Sequence, residues 1–411
     1  MTTTTDATGP ATPPVIAPDR PDFYWNGETA FRWLQENSPV HPWVSSKGRP
    51  MHLVSRWVDV RRVSGAPADF SSAHGHMIDE SPGSAGGRPA DPRQDTPLLH
   101  NIDPPEHDKH RKLISRSLTA RRVQRLEPAV RALVRGVLDE VPVGRETDAV
   151  SAFAAPIPLQ VIAELLGVPL ADVPLLGRWS DELAAVSDAA GARSRQEVLS
   201  EFFDYLDVLI AERRQSPRDD LITSLAFAEL DGQWLSHPEL LMHLWTALVA
   251  GNETTRNAIA GGVEAFAANP AEYQRLTKEP RMAAAAAEEV LRWSTPARYG
   301  GRTVVRPVEL AGHRLRPGDY VLMLYSAANR DPSVFRDPYR FDIGRDSARM
   351  HVSFGHATHF CIGAQLARLE IRIVLEEFAA RYRQVSGAGP AHRSPSPMLN
   401  GYQRLPVVLH G

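Results

Sequence analysis

The sequence predicts a mainly α-helical protein with minor β structure, folded as a single domain. Three observations carry this. Apolar residues recur at the helical period of 3.6 over about 119–140, 158–166, 194–214, 236–268, 281–293 and 361–383. β-like runs are few and short, at 51–55, 302–310, 319–325 and near the C-terminus. No internal repeat and no shift of composition divides the 411 residues, although that length alone would allow one large domain or two ordinary ones.

Taken in order, residues 1–20 are rich in Thr, Ala and Pro and read as a disordered N-terminal arm. They lack the basic start and apolar centre of a signal peptide. The folded domain is expected over 21–411, interrupted at 80–97 by a Gly- and Pro-rich stretch too long for a simple connection, which reads as a flexible, lid-like loop. The apolar stretches near 161–170 and 244–250 fall short of the ~18 residues a membrane span needs. A cytoplasmic protein without membrane insertion is expected. Lys and Arg total 46 against 49 Asp and Glu, a net charge of −3, so no global basic field points to nucleic acid.

The run at 236–268 opens with a capping box, Ser236 to Glu239, has Pro238 in its first turn, and stops at Asn269-Pro270. At 1.5 Å per residue it would be ~48 Å long and cross the whole domain. Its centre reads Ala250-Gly251-Asn252-Glu253-Thr254-Thr255. Gly251 costs roughly 1 kcal/mol against Ala in such a place, and a buried Glu253 would need a partner. On these residues alone, a solvent-facing turn or tolerated kink and a functional site are both open.

The one cysteine, Cys361, excludes an intramolecular disulfide, a Cys-rich zinc module and an iron–sulfur cluster held by this chain's own thiolates. It lies in Phe354-Gly355-His356-Ala357-Thr358-His359-Phe360-Cys361-Ile362-Gly363, just ahead of the amphipathic run that begins at Ala364. A helix N-terminus favours the thiolate over the thiol. A lone cysteine is most often a small buried hydrophobe. The flanking glycines, which let a backbone approach a flat cofactor, and the aromatic shield beside the sulfur favour a chemical role.

These residues resemble the haem-binding loop of the cytochrome P-450 family, the haem-thiolate monooxygenases. In the pattern Phe-Gly-x-Gly-x-His-x-Cys-x-Gly, the residues Phe354, Gly355, His359, Cys361 and Gly363 match. Ala357 stands where the family usually has Gly; if that position needs positive φ, its methyl costs ~1–2 kcal/mol. Three further motifs follow the family's order. Ala250 to Thr255 resembles the oxygen-activation motif, Glu289-x-x-Arg292 the Glu-x-x-Arg pair, and Phe335 to Phe341 the meander before the haem loop.

The resemblance implies the cytochrome P-450 fold, with the long central helix crossing the haem and the cysteine loop on its proximal side. It implies haem b, O2 as co-substrate and Cys361 as the axial ligand. Phe354 and Gly363 would shape the cofactor loop, and His107, Arg111, Arg302 and His359 would bind the propionates. Thr254 would act as the hydrogen-bonding alcohol at the oxygen site and Glu253 as proton source, with a kink at Gly251 making room for O2. Glu289, Arg292 and Arg340 would form a structural network. The substrate pocket would draw on Leu98, Leu99, Ala247, Ala250, Ala297, Arg298, Tyr299, Met398 and Leu399. An Arg298 facing the cavity would call for an anionic substrate.

The implied reaction inserts one oxygen atom of O2 into a bulky apolar molecule, steroid, terpenoid or lipid-like, most simply by hydroxylation. Stretches such as Phe23 to Leu34 are most similar to actinobacterial steroid- and lipid-oxidising members. A tailoring enzyme acting on a polyketide, peptide or aromatic substrate, and a non-catalytic haem-binding sensor, are the competing readings. The chain has no second thiol for a cluster, so a separate ferredoxin and reductase would deliver the electrons, with NAD(P)H used only indirectly. The ferredoxin would dock near Lys109 to Lys112, Arg116, Arg121 and Arg122 on a monomeric protein.

Overall fold

The computed structural model describes residues 13–78, 96–184 and 193–411. Most of the lid-like loop at 80–97 and the first part of the arm lie outside the described residues. Fourteen α-helices are described: α1 (Pro21–Trp25), α2 (Glu28–Asn37), α3 (Trp57–Ser64), α4 (Glu106–Ser115), α5 (Ala120–Asp139), α6 (Pro156–Leu166), α7 (Val173–Ala184), α8 (Arg195–Gln215), α9 (Leu221–Ala226), α10 (His237–Ala268), α11 (Pro270–Lys278), α12 (Ala283–Ser294), α13 (Tyr325–Ala328) and α14 (Ala364–Arg381). None of them is long and apolar enough to cross a membrane.

α10 is the axis of the helical part. Both halves of its capping box form: Glu239 N–H donates to Ser236 Oγ, and Ser236 N–H donates to Glu239 Oε2 at 2.8 Å. The helix runs without a break to Ala268 and packs against α6, α12 and α14 in one apolar core with Phe153, Leu166, Phe202, Leu244, Phe266 and Ile373. Gly251 permits the close approach of α6, because a Cβ there would stand 2.9 Å from Ile162 Cδ1. Its lack of a side chain suits tight helix packing at this point.

A five-stranded sheet lies beside the helices, in the order 40–44, 50–54, 320–324, 299–304, 70–71. Its pairs are antiparallel except for 50–54 with 320–324. Residues Tyr320 to Leu324 are all buried, since the alternating side chains enter two separate cores. Val321 and Met323 join one with Val54 and Val304; Tyr320, Leu322 and Leu324 join the other with Phe31, Leu53 and Tyr299.

Three expectations need correction. Residues 13–20, expected in the disordered arm, are tied to the sheet: Trp43 Nε1 donates to Ile16 O at 2.9 Å, and Ser46 N–H donates to Asp19 Oδ2 at 2.7 Å. The β-like run 302–310 divides at Arg306-Pro307 into strand 299–304 and the hairpin strand 308–310, because proline cannot donate to a ladder. α14 starts three residues after the expected 361, because the chain up to Gly363 is spent on the cysteine loop.

Candidate active site

The loop before α14 turns twice through left-handed backbone, at Gly355 (φ 70°) and Ala357 (φ 53°). The second is the strained position anticipated for Ala357. The turn closes when Cys361 N–H donates to Phe354 O at 2.8 Å. Burial pushes the Cys361 thiol up, while a hydrogen bond from Gly363 N–H and the charges of Arg111 and Arg368 pull it back toward the thiolate. A Cβ on Gly363 would stand 3.9 Å from Sγ, an ordinary contact, so nothing on the protein side demands glycine there. Arg368 lies over the Phe354 ring at 4.7 Å and forks onto Glu288 at 2.7 and 3.1 Å, which fixes the aromatic shield behind the loop. Burial raises the Glu288 carboxyl, but the His351 and Arg368 contacts prevail and hold it at about 2.

On α10, Ala247, Ala250 and Thr254 fall at i, i+3 and i+7 and so share one face. Ala250 is exposed and Thr254 half-exposed in the middle of a helix whose other faces are buried. A strip of small residues beside open space suits a flat group and a small gas. Thr254 Oγ donates to Ala250 O at 2.7 Å, so that carbonyl is claimed by the threonine. Glu253 is turned away from this strip and buried, 3.2 Å from Arg256, which lies 3.1 Å from Asp181 of α7. Burial raises the Glu253 carboxyl above its ordinary value, Arg256 lowers it and Asp181 raises it again.

The third component is a cluster of cationic and imidazole side chains. His107 and His359 pack with ring centroids 4.4 Å apart and planes tilted by 53°; His107 also meets Asp108 at 2.9 Å, and His359 meets Ser72 Oγ at 2.9 Å. Arg302 is buried and donates to Gly301 O at 2.6 Å. Among the described residues, neither Arg111 nor Arg302 forms an ion pair. His359 is held down at about 3, first by burial and then by Arg302, His107, Arg111 and His76. His100 presents a buried Nε2 without a hydrogen-bond partner and packs at 4.2 Å on His76. A buried Arg302 and a half-buried Arg111, neither in an ion pair among the described residues, call for anions from outside the chain. Two haem propionates would meet that need, and Cys361 would hold the iron. The residues present fit haem.

The structural network differs from the expected one. Glu289 and Arg292 are wholly buried and paired at 2.7 and 2.8 Å, but the third side chain is Arg345, 3.2 Å from Glu289. Arg340 is exposed and contributes only its carbonyl, to Arg292 and Arg345. The turn through Asp337 (φ 46°), closed by Arg340 N–H to Asp337 O, points that carbonyl inward and leaves the side chain in solvent.

Of the expected pocket residues, Ala297 and Leu399 meet in an isolated β-bridge. Leu98 lies half-buried beside the turn Leu99–Asn101. Leu99 and Tyr299 are sunk into apolar cores, and Met398 packs against the core that holds Tyr299. Arg298 is fully buried, and its guanidinium donates to Ser396 O and Asn400 Oδ1. Sequence reasoning missed Arg345, Ser72, His100 and the Arg256–Asp181 link. His100 was visible as an extra imidazole ahead of His107, but no spacing rule connected it to the others.

A lone thiol, an anion-seeking edge and a small-residue helix face together define a haem protein with a sulfur ligand. Comparison with known proteins specifies it further. The family model described as Cytochrome P450 matches residues 190–390. The chain is 36% identical over 387 residues to a steroid C26-monooxygenase of Mycolicibacterium smegmatis, covering 92% of this chain and 89% of that protein. It is 32% identical to linalool 8-monooxygenase of Pseudomonas putida, over 95% and 97% of the two chains. Among solved structures, the Bacillus subtilis 168 bacillaene polyketide synthase cytochrome P450 PksS superposes with a TM-score of 0.86 at 30% identity, over 97% of this chain and all of that one. The chain belongs to the cytochrome P450 family. It is a haem b monooxygenase that uses O2.

Proposed function

We propose that this monooxygenase hydroxylates a bulky apolar substrate of the steroid, terpenoid or lipid class, with electrons from a ferredoxin and its NAD(P)H-dependent reductase. The observation that carries the substrate class is the small, uncharged face that α10 presents at Ala247 and Ala250. Ala247 and Ala250 line the helix face, and Arg298 is fully buried with its guanidinium donating to Ser396 O and Asn400 Oδ1. The steroid and linalool monooxygenases named above support the same class.

When bound, the haem supplies O2 activation at an iron whose sulfur ligand pushes electron density toward it. The chain's own residues would do the rest. Cys361 supplies the sulfur; burial favours its thiol, and Gly363 N–H, Arg111 and Arg368 oppose that. His107, Arg111, Arg302 and His359 hold the propionates. The Thr254 hydroxyl, oriented by Ala250 O, offers a proton-relay atom to the open face. Glu253, its carboxyl raised by burial, would pass protons inward, and Arg256 links it to Asp181, whose side chain is 71% exposed.

The basic docking face is smaller than the sequence suggests. Lys109 is paired with Glu106 and Asp231, Arg122 with Asp219, and Arg111 lies beside Cys361. Lys112, Arg116 and Arg121 form no ion pair among the described residues and are left to steer an acidic ferredoxin. The structural likeness to the polyketide synthase P450 favours one second reading, a natural-product tailoring enzyme. A panel of steroids, terpenoids, branched lipids and macrolide-like polyketides, screened for the low-to-high-spin shift of the ferric enzyme, separates the two. Response to the first three groups is expected; response to polyketides alone overturns the proposal.

A further inference from the structure

We propose that Arg298 is a positioning residue. It fixes the substrate-facing turn 396–401 from below, and the N-terminal helix α1 braces it through Tyr24. The inference rests on the proposed pocket in placing Leu399 toward substrate, and goes beyond it in naming what holds that residue there.

The turn and the segment entering strand 299–304 are laced together. Arg298 N–H donates to Met398 O at 2.8 Å, Asn400 N–H donates to Pro296 O at 2.9 Å, and Asn400 Nδ2 donates to Ser294 O. Beneath this lacing, Arg298 Nη1 donates to Ser396 O at 2.7 Å and Nη2 donates to Asn400 Oδ1 at 3.0 Å. One planar fork thus reaches both ends of the turn, on either side of Leu399. A lysine has no second donor in that geometry. The guanidinium stacks on Tyr24 at 4.8 Å, and Tyr24 OH donates to Pro18 O at 3.1 Å.

Burying an arginine without a carboxylate is costly, and the burial lowers its pKa to about 10. Leu or Met would fill the same volume more cheaply, so the residue answers a need for two placed donors. Leu399 belongs to none of the three apolar cores among the described residues, so its place depends on the turn. The hairpin leading into the turn has its own clamp: Arg393 bonds both oxygens of Glu264 at 2.7 Å, and Tyr402 OH donates to the same carboxylate. On its far side the turn presses on α10. A Cβ on Gly401 would stand 2.6 Å from Asn257 Oδ1, one helical turn beyond Thr254. Loosening Arg298 therefore releases the tip of the turn while its base stays anchored.

The test uses haem-bound R298M, R298K and Y24L enzymes with two iron-binding probes, imidazole and clotrimazole, followed by the shift of the Soret band. Both probes bind through iron whatever the natural substrate, so failure of the substrate class does not affect the result. Imidazole is too small to touch the turn. R298M is expected to weaken clotrimazole about 10-fold while imidazole stays within about 2-fold. R298K, which restores one donor, should fall between R298M and wild type, and Y24L should follow R298M with a smaller loss. Faster amide exchange confined to 396–401 should accompany the change. Equal weakening of both probes, or of neither, overturns the proposal. If R298M takes up no haem, N400A, which removes one acceptor of Arg298 together with the bond to Ser294 O, carries the same comparison with the same two outcomes.

Discussion

Two buried carboxylates sit in ion networks of opposite character. Glu289 is sealed: it accepts from Arg292 at both oxygens, from Arg345 and from Asp342 N–H at 3.0 Å, and its side chain has no exposure. Glu253 is incompletely served: one contact to Arg256, a carboxyl raised by burial, and a link outward to the exposed Asp181. A carboxylate with every lone pair used holds structure. A carboxylate left short of partners beside a route to solvent can take up and pass on a proton at little extra cost. The difference lies in the surrounding donors, since both residues sit on helices three positions before an arginine.

Breaking the sealed network should have the largest effect. Arg292→Met leaves Glu289 buried beside the remaining Arg345, and loss of one partner of a buried pair costs about 3–5 kcal/mol. Little folded, haem-loaded protein is expected, as read by urea denaturation of whatever is recovered. Glu253→Gln should leave folding and haem content intact but slow turnover about 100-fold, the lower end of what a positioned proton donor supplies. More of the electrons would go to peroxide, as measured by product formed per NAD(P)H consumed.

The same variant sharpens the comparison through pH. A carboxyl with a raised folded-state pKa binds its proton more tightly in the native state than in the unfolded one. The wild type therefore loses stability as pH rises from the ordinary carboxyl value through the raised one. Glu253→Gln removes that loss, so its denaturation midpoint should exceed the wild type's at neutral pH and match it near pH 4. The smallest effect concerns the cysteine loop. Ala357→Gly relieves the positive φ and should stabilise the holoenzyme by about 1 kcal/mol, read as a raised unfolding midpoint with an unchanged Soret band.

These networks also show what was legible in the sequence. The Glu289–Arg292 pair and the Ser236–Glu239 cap are local, set by helical spacing, and both are present in the structure. The Cys361 loop was legible because its strained turn and its glycines are consecutive in the chain. Arg345 in place of Arg340 was not, because the meander turn decides which side chain faces inward, and no periodicity governs that turn. The partners of Arg298, 98 and 102 residues further along the chain, and the Asp181 partner of Arg256, 75 residues before it, depend on tertiary packing alone.

The central claim is that the solitary Cys361 supplies a thiolate to haem iron. The direct measurement is the difference spectrum of the dithionite-reduced, haem-loaded protein under carbon monoxide, for wild type beside Cys361→Ser. Wild type should show the strongly red-shifted Soret band of thiolate-ligated haem, and the serine variant should lack it. A folded, haem-loaded wild type without that band, or a serine variant that keeps it, would contradict the claim.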